Sequence, residues 1–309
     1  MAILFSSVVD SAPRWRAEVL RHLPDREFRV WPEIGDPAAI DCAIVWRPIP
    51  GLLASLPNLK LILSLGAGVD HLLDDPQLPR GVPLVRLVDP YLSAAMSEFV
   101  ALGVLRLHRQ DFEYLAQQRR EEWRERDQKN AGERPVGILG FGEIGQEAGR
   151  RLQALGFPVA GWTRTARTIP AFTTFHGPAG FDAILRQSEI LVCLLPLTPE
   201  TTGILNTAAL ARLPRGAGLV NAGRGGHLVE GDLIPALDSG QLSGAVIDVF
   251  RDEPLPRGHP FWRHPRIAVT PHIAGTTNPA TAAPIMAAAL RDFEAGRPVA
   301  NLVDLSRGY

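Results

Sequence analysis

The sequence predicts a two-domain protein of the α/β class, in which parallel strands alternate with helices. Three observations support this prediction: the length of 309 residues, a hydrophobic content of 46%, and a series of short apolar runs separated by helix-length segments. The length exceeds that of one ordinary domain, and the apolar content is enough for a sizeable buried core. Short apolar runs bounded by Pro, Gly and Asp are typical of strands that a parallel sheet buries on both faces.

The first series of predicted strands lies in the N-terminal third of the chain. Its apolar runs are residues 2–5, 28–30, 42–46, 59–65 and 84–87. From about Ala94 onward, apolar residues recur at helical spacing and predict one long amphipathic helix. This helix leads into the charged stretch 119–126 (RREEWRER), for which we predict either a solvated helix face or an extended arm.

A second series of predicted strands follows this stretch. Its apolar runs are residues 136–139, 158–162, 190–195, 218–220, 245–248 and 267–270, and an Ala-rich helix follows at about residues 280–295. Strands separated by helix-length segments are typical of βαβ units in a doubly wound sheet. We therefore predict one domain at residues 1–97 and 278–309 and a second domain at residues 98–277.

The composition excludes several classes of function. With 32 Lys and Arg against 33 Asp and Glu, the net charge of -1 does not provide the basic field that nucleic acid or an anionic membrane requires. Cys42 and Cys193 are too few for a disulfide framework or a Cys-based zinc site, and they fit a reducing compartment. Signal-peptide and membrane-span patterns, HExxH, CxxC and GxSxG are not found, so we expect a cytoplasmic protein with no metal site.

A glycine-rich turn directly after the predicted strand 136–139 points to a nucleotide. Its residues match GxGxxG and are Gly140, Phe141, Gly142, Glu143, Ile144 and Gly145. The first glycine permits a tight turn, the second lets the backbone approach a pyrophosphate, and the third allows close packing of the following helix. The N-terminus of that helix then attracts the anion, whereas the alternative is an ordinary tight turn with no ligand.

The end of the next predicted strand indicates which dinucleotide is bound. Enzymes that use NAD usually place an acidic residue about 20 residues beyond the turn, where it binds the ribose 2′-hydroxyl. This chain has no acid there, and instead offers Trp162, Thr163, Arg164, Thr165 and Arg167. Hydroxyls and guanidinium groups suit a 2′-phosphate, so we expect NADP(H) to be preferred, with NAD(H) possible. The alternative is that these arginines are solvated surface residues.

Three later loops carry residue types that suit the reduction of a carbonyl beside a carboxylate. Such a reaction needs a cation for the carboxylate, a proton donor near the carbonyl oxygen, and a group that keeps the donor protonated. Arg224 lies between glycines, Glu253 lies in a Pro-rich loop, and His272 follows a Pro, each where a predicted strand ends. A carboxylate beside an imidazole favours the charged imidazolium.

Taken in order, the motifs GxGxxG, GRGG, DVFRDEP and TPHIAG resemble those of the D-isomer-specific 2-hydroxyacid dehydrogenase family. Within that family the chain is most similar to the bacterial glyoxylate/hydroxypyruvate reductase A branch, at LGAGVD, at LPLTPETTGILN and in the tail Arg307-Gly308-Tyr309. The resemblance implies a Rossmann-type nucleotide-binding domain inserted into a flavodoxin-like substrate domain. It also implies NADPH-dependent reduction of small 2-oxo acids, and a homodimer built through the nucleotide-binding domain.

The resemblance also implies roles for individual residues. Arg224 matches the substrate anchor, His272 the proton donor to the carbonyl oxygen, and Glu253 the carboxylate that hydrogen-bonds the imidazole. Asp248 matches the residue near the nicotinamide carboxamide, Leu195 and Pro196 the adenine-side wall, and Ala222 and Gly223 the backbone beside the nicotinamide. Gly66, Ala67 and Gly68, whose successive N–H groups can form an anion nest, match the loop that holds the substrate carboxylate. Trp46 and Arg47 are candidates for capping the substrate pocket.

The sequence departs from the wider family at the missing acid and at Gly223, where Ala is common. His227 follows the GRGG turn, and we expect a surface position for it, the alternative being a position that supports the catalytic residues from behind. Two alternatives to the leading function stay open. One is a dehydrogenase for a bulkier D-2-hydroxy acid, and the other is a non-enzymatic protein of the same fold that senses NAD(P)(H).

Overall fold

A computed structural model of the chain describes residues 1–305. The last four residues, which include the tail motif Arg307-Gly308-Tyr309, lie outside the described residues. Contacts within the chain divide it into two compact units. The first unit comprises residues 1–92 together with the described residues from Thr277 onward, and the second comprises residues 93–276.

A parallel sheet forms the centre of the first unit. Its strands are β1 (Ala2–Ser7), β2 (Glu27–Val30), β3 (Ile40–Trp46), β4 (Leu61–Ser64) and β5 (Leu84–Val85), and its early helices are α1 (Ala12–His22) and α2 (Asp70–Leu73). The strand order is β2-β1-β3-β4-β5, with each pair parallel. This is the order of flavodoxin-like sheets, which confirms the predicted fold class.

The core of the first unit follows from the apolar runs. Phe5 in β1 stacks on Phe28 with ring centroids 5.6 Å apart and lies 6.0 Å from the ring of Trp15 on α1. Helix α1 has a Pro in its first turn, where a missing N–H costs nothing, and it turns Trp15 and Val19 into the core. The polar face of the same helix stays exposed, as expected of an amphipathic surface helix.

The second unit is a larger parallel sheet flanked by helices. Its elements begin with α3 (Pro90–His108), which enters from the first unit, and continue with α4 (Asp111–Arg119), β6 (Val136–Leu139), α5 (Glu143–Ala154), β7 (Val159–Thr163), β8 (Thr173–His176), α6 (Gly177–Gln187), β9 (Ile190–Cys193), α7 (Thr207–Leu210), β10 (Ala217–Asn221), α8 (Glu230–Asp238), β11 (Leu242–Ile247) and β12 (Ile267–Val269). The strand order is β12-β11-β10-β9-β6-β7-β8. A doubly wound parallel sheet was predicted and is confirmed.

Strand β8 is the one strand of the described second sheet that the sequence analysis missed. It lies at the sheet edge beside β7 and reads Thr-Thr-Phe-His, with partly exposed side chains. An edge strand needs no continuous apolar run, because it has a neighbouring strand on one edge only and its side chains are less completely covered. Strand β8 therefore lacks the apolar run that predicts a buried strand.

The charged stretch divides between a helix end and an arm. Helix α4 ends at Arg119, and residues 122–130 continue without regular secondary structure. The Arg126 N–H donates to the Tyr114 hydroxyl at 3.2 Å, and the Arg126 Nε donates to Gln110 Oε1 at 2.6 Å, so the arm returns along α4. Trp123 on this arm is 98% exposed.

The final helix, α9 (Pro279–Glu294), returns the chain to the first unit. The Asn278 side chain caps its N-terminus by accepting a hydrogen bond from the Ala280 N–H at 3.1 Å. Its buried face, which includes Ala282, Met286 and Leu290, packs in the same core as Trp15 of α1. Among residues 1–305, the structure contains no helix with both the length and the apolar character to cross a bilayer.

Candidate active site

The glycine-rich turn joins β6 to α5 and has the geometry of a phosphate cradle. Gly140 has φ +92°, and a Cβ there would lie 2.6 Å from the carbonyl of Leu194. A Cβ at Gly145 would lie 2.2 Å from the Gly140 oxygen, so both positions require glycine. At Gly142 a Cβ would meet nothing within 4 Å, which leaves open space at the N-terminus of α5. The turn therefore fits a dinucleotide pyrophosphate.

Side chains around the turn form its apolar support. Phe141 is 1% exposed and packs edge-on against Phe172 with ring centroids 4.9 Å apart. A Cβ at Gly161 of β7 would lie 2.1 Å from the Phe141 ring, so this ring can lie directly on β7 only because Gly161 has no side chain. The Phe141 side chain thus anchors the turn in the core, while Gly142 and Glu143 face solvent.

At the end of β7, the predicted phosphate-binding residues take two different positions. Trp162 is buried and donates its indole N–H to the Gly177 carbonyl at 2.9 Å, and the Thr163 hydroxyl donates to the Thr165 carbonyl at 2.8 Å. Arg164 and Thr165 are exposed. The first two side chains shape the loop, whereas Arg164 and Thr165 lie at the surface.

Glu200 shows that the positive charge of Arg164 reaches the loop after β9. Its carboxyl pKa is lowered, first by the hydrogen bond from the Thr198 hydroxyl and then by the backbone N–H of Glu200, with the Arg164 guanidinium contributing further. The Arg164 guanidinium and the Glu200 carboxylate therefore act on each other between these two loops.

The three predicted catalytic residues all belong to the second unit, at adjacent strands of its sheet. Arg224 follows β10, Glu253 follows β11 and His272 follows β12. In the sheet β10 pairs with β11 and β11 with β12, all parallel. The carboxyl ends of neighbouring parallel strands lie at one edge of a sheet, where ligands of such folds bind.

Glu253 and His272 form a hydrogen-bonded pair. The Nδ1 atom of His272 lies 2.9 Å from Glu253 Oε2 and 3.2 Å from Oε1, and the side chains are 26% and 15% exposed. Because a carboxylate only accepts, Nδ1 carries a proton, and Nε2 is the ring nitrogen that this pair does not use. The Phe250 N–H donates to Glu253 Oε1 at 3.1 Å and orients the carboxylate.

Asp248 shapes the loop that carries His272. This residue is 0% exposed, and its carboxylate accepts three hydrogen bonds, from the Thr270 hydroxyl at 2.6 Å and from the N–H groups of Ile273 and Ala274, both at 2.9 Å. The Asp248 carbonyl also accepts the His272 N–H at 2.9 Å, and His272 has φ +55°. This uncommon backbone conformation is therefore held in place by a buried carboxylate.

Arg224 is held close to the loop that carries Glu253. A Cβ at Gly225 would lie 1.9 Å from the backbone carbonyl carbon of Phe250, so the two loops touch at a glycine. The Arg224 Nη1 donates to the Gly223 carbonyl at 2.8 Å, and the Asn221 amide donates to the Arg224 carbonyl at 3.2 Å. The structure thus gathers a guanidinium, an imidazole and a carboxylate at one sheet edge.

The surface position expected for His227 is wrong. His227 is 0% exposed. Its Nδ1 accepts the Arg224 N–H at 3.0 Å, and its Nε2 lies 3.2 Å from the Pro196 carbonyl oxygen. Sequence reasoning favoured the surface over the supporting position because nothing in a Gly-Gly-His-Leu stretch shows that the turn folds inward over the loop after β9.

The predicted substrate-binding residues of the first unit come together at the carboxyl ends of β3 and β4. A Cβ at Gly66 would lie 2.2 Å from the Trp46 ring, so Trp46 lies directly on the Gly66–Gly68 loop. The Arg47 guanidinium lies 5.8 Å from the Trp46 ring centroid, and the ring centroids of His71 and Trp46 are 4.3 Å apart. His71 is a contact that the sequence analysis left unassigned.

The remaining cofactor candidates, Leu195 and Ala222, are largely buried at the ends of β9 and β10. Both cysteines are buried free thiols, and burial raises the pKa of Cys42 and raises the pKa of Cys193 to about 12. Thiols in this state are poor nucleophiles. Within the part of the chain that the structure describes, no cluster of three or more His, Cys, Asp and Glu side chains is placed to bind a metal.

Known proteins resemble this chain over its whole length. Residues 101–274 match the family described as D-isomer specific 2-hydroxyacid dehydrogenase, NAD binding domain. A protein named glyoxylate/hydroxypyruvate reductase A from Serratia proteamaculans is 43% identical, and one of the same name from Yersinia enterocolitica is 41% identical; each comparison covers 100% of both chains.

Solved structures are similar to the same extent. A D-isomer specific 2-hydroxyacid dehydrogenase from Xanthobacter autotrophicus Py2, in complex with NADPH and MES, is 42% identical with a TM-score of 0.95 over 100% of this chain and 99% of that one. An NADPH-dependent glyoxylate/hydroxypyruvate reductase from Sinorhizobium meliloti, in complex with NADP and sulfate, is 40% identical with a TM-score of 0.93 over 100% of both chains. The predicted family is confirmed, and the chain belongs to the D-isomer specific 2-hydroxyacid dehydrogenases.

Proposed function

We propose that this chain reduces small 2-oxo acids, glyoxylate and hydroxypyruvate first, to 2-hydroxy acids with NADPH. The observation that carries the proposal is the Glu253–His272 pair, 2.9 Å apart, at the same sheet edge as Arg224. Relatives that are 41% to 43% identical over the full chain bear the name glyoxylate/hydroxypyruvate reductase A. We assign substrate binding to the first unit together with Arg224, and dinucleotide binding to the second unit.

Each of the three side chains has a distinct part in the reaction. Arg224 binds the substrate carboxylate and polarises the carbonyl oxygen, since a guanidinium can offer two parallel N–H donors. His272 gives the proton on Nε2 to that oxygen as it becomes an alkoxide. Glu253 accepts the hydrogen bond from Nδ1, which fixes the orientation of the ring and stabilises its charged form before the proton leaves. When bound, the reduced dinucleotide supplies the hydride.

The glycine-rich turn and the end of β7 are proposed to hold the dinucleotide. The pyrophosphate is proposed to lie in the open space at Gly142, against the N-terminus of α5. The exposed Arg164 and Thr165 are proposed to bind a 2′-phosphate. Two neighbouring structures were solved with NADPH or NADP. Asp248, with its carboxylate occupied by three protein donors, contributes by holding the loop that follows it.

In the first unit, the loop of Gly66, Ala67 and Gly68 is proposed to bind the substrate carboxylate with the backbone N–H groups of Ala67 and Gly68, since the Gly66 N–H donates to the Ser64 hydroxyl at 3.2 Å. Trp46 supports this proposal because its ring lies against Gly66 and closes one side of the loop. Arg47, above the same ring, adds positive charge beside it. Together these residues favour small, anionic substrates.

The decisive experiment is a set of kcat/KM values for glyoxylate, hydroxypyruvate, pyruvate and phenylpyruvate, each with NADPH and with NADH. We expect glyoxylate and hydroxypyruvate with NADPH to give the highest values. A maximum at phenylpyruvate would instead favour the dehydrogenase for a bulkier acid. No turnover with any 2-oxo acid, together with tight NADPH binding, would favour the non-enzymatic sensor.

The choice of cofactor has its own test in Arg164→Asp. The carboxylate would repel the 2′-phosphate, so we expect the ratio of kcat/KM for NADPH to that for NADH to fall at least about tenfold, the effect of losing one charge-assisted contact. The matched control is Arg186→Asp on the exposed face of α6, which is expected to leave the ratio unchanged. An unchanged ratio in Arg164→Asp would refute the assigned phosphate site.

A homodimer formed through the second unit is also proposed. Leu102 on α3 is 58% exposed and Trp123 on the arm is 98% exposed, and large apolar side chains this open are typical of a surface covered by another subunit. Sedimentation of the wild type is expected to give a dimer, and Trp123→Ser to weaken it. We further propose the cytoplasm as location, because buried thiols suit a reducing compartment; cell fractionation tests this.

A further inference from the structure

We propose that His227 is a positioning residue for the substrate anchor. Its neutral imidazole fixes the backbone of Arg224 and ties that loop to the loop after β9. This inference rests on the proposed function, since it assumes that Arg224 binds the substrate. It concerns a residue that neither touches the substrate nor carries the transferred proton.

The hydrogen bonds of His227 determine which nitrogen carries the proton. Nδ1 faces the Arg224 N–H at 3.0 Å, and an N–H can only donate, so Nδ1 is unprotonated. Nε2 faces the Pro196 carbonyl at 3.2 Å, and a carbonyl can only accept, so Nε2 carries the proton. These two bonds require the neutral ring in one tautomer, assigned from the hydrogen-bond network.

The turn around His227 is tied to the neighbouring loop at several further points. The Leu205 N–H donates to the His227 carbonyl at 2.9 Å, and the Gly203 N–H donates to the Gly226 carbonyl at 2.8 Å. The Thr201 hydroxyl donates to the same Pro196 carbonyl at 2.8 Å, so both lone pairs of that oxygen are used. The imidazole is therefore one part of a fully hydrogen-bonded connection between the two loops.

Gly223 explains how the ring fits so close to the arginine. A Cβ at position 223 would lie 3.0 Å from His227 Nδ1 and 3.1 Å from Cε1, tighter than ordinary van der Waals contact. The glycine, where the family commonly has Ala, gives the imidazole room to reach the Arg224 N–H. The departure from the family at Gly223 thus accompanies a tight contact with His227 and does not leave Arg224 unsupported.

Two amide substitutions separate the two hydrogen bonds. In His227→Asn the side-chain oxygen lies near the position of Nδ1, so it can still accept from Arg224 but does not reach Pro196. In His227→Gln the amide lies near the position of Nε2, so it can still donate to Pro196 but leaves the Arg224 N–H without its acceptor. The two variants are matched in polarity and differ by one methylene.

We expect His227→Gln to raise KM for glyoxylate about tenfold, the usual effect of losing one positioning hydrogen bond, with KM for NADPH within about twofold of the wild type. His227→Asn should recover most of this loss. The control His22→Gln, in α1 of the first unit, should change neither constant. Equal KM values for glyoxylate in the Asn and Gln variants would overturn the proposal, because loss of stability alone does not distinguish the two bonds.

A measurement on the wild type keeps the inference testable even if the variants do not fold. Nitrogen NMR of the histidine-labelled protein is expected to show His227 as the neutral tautomer protonated at Nε2. A ring protonated at Nδ1, or at both nitrogens, would overturn the assignment. If the wild type reduces no 2-oxo acid, the proposed function fails, whereas the NMR result still decides whether the hydrogen-bonded connection exists.

Discussion

Two loops at the carboxyl edge of the second sheet each carry a histidine, and their surroundings are opposite. His272 has a side chain that is 26% exposed, and its Nδ1 faces the Glu253 carboxylate at 2.9 Å. His227 is 0% exposed, and both of its nitrogens face backbone groups. The residue type is the same, so the difference comes entirely from the neighbours.

The comparison shows how partners decide what an imidazole can do. A carboxylate stabilises the doubly protonated ring, and access to the surface lets a proton leave and return, so His272 is suited to acid–base work. One backbone donor and one backbone acceptor are compatible only with a neutral ring, so His227 is suited to holding a loop. A histidine near an active site is therefore assigned by its hydrogen-bond partners more reliably than by its distance to the catalytic residues.

The largest effect is expected for His272→Ala. Loss of the proton donor should lower kcat for glyoxylate reduction at least about a hundredfold, the usual contribution of a general acid. NADPH binding, followed by fluorescence titration, should stay within about twofold, since the ring takes no part in holding the dinucleotide. A kcat near that of the wild type would show that His272 is not the proton donor.

A smaller effect is expected for Glu253→Gln. The amide keeps the size of the side chain, but it loses the negative charge, and its NH2 group replaces one of the two oxygens that face the Phe250 N–H and His272 Nδ1. We expect kcat to fall about tenfold, less than in His272→Ala, because the donor remains but its charged form is less stabilised. Glu230→Gln is the matched control, since Glu230 accepts from Arg251 in the same loop but does not touch His272. Equal kcat values for the two variants would contradict a role for the carboxylate charge.

The smallest effect concerns a third histidine, His108 of α3, which has no assigned function. Burial lowers the pKa of His108, and the charges of Arg134 and Arg109 lower it further. The folded state therefore resists a proton that the unfolded chain accepts, so stability is complete above about pH 6.5 and is lost as the pH falls toward the lower folded value.

The test of this third case is the urea midpoint at about pH 7.5 and about pH 5.5. The midpoint of the wild type should fall between these values, and that of His108→Gln should fall less, because its side chain takes up no proton. At neutral pH, His108→Gln should reduce glyoxylate at the same rate as the wild type. A steeper fall in the variant would contradict the direction of the pKa shift.

Much of the fold could be predicted from the sequence, because buried parallel strands are continuous apolar runs. The strand predicted at residues 136–139 coincides with β6, and the helix predicted at about residues 280–295 agrees with α9 to within a residue. The edge strand β8 could not be found in this way, since its Thr-Thr-Phe-His sequence lacks that signal.

The candidate site was predictable where a motif fixes the chemistry. Arg224, Glu253 and His272 stand next to the ends of apolar runs, and the rule that strand ends meet at one sheet edge was enough to group them. Trp162 and Thr163 were predicted from position alone, and the structure turns their polar groups to the Gly177 and Thr165 carbonyls. The loop conformation decides which polar atoms form hydrogen bonds within the protein. The identities of the adjacent residues do not determine that conformation directly.

The sequence by itself determined the class of fold, the glycine-rich turn, the missing acid after β7 and the residue types of the catalytic set, because these depend on local pattern and composition. Only the tertiary structure decided that His227 is buried against Arg224, that Asp248 holds the loop of His272, and that Gly225 touches Phe250. These contacts join segments far apart in the chain or depend on the direction of one turn. Their energies come from excluded water and satisfied hydrogen bonds, which exist only once the loops have packed together.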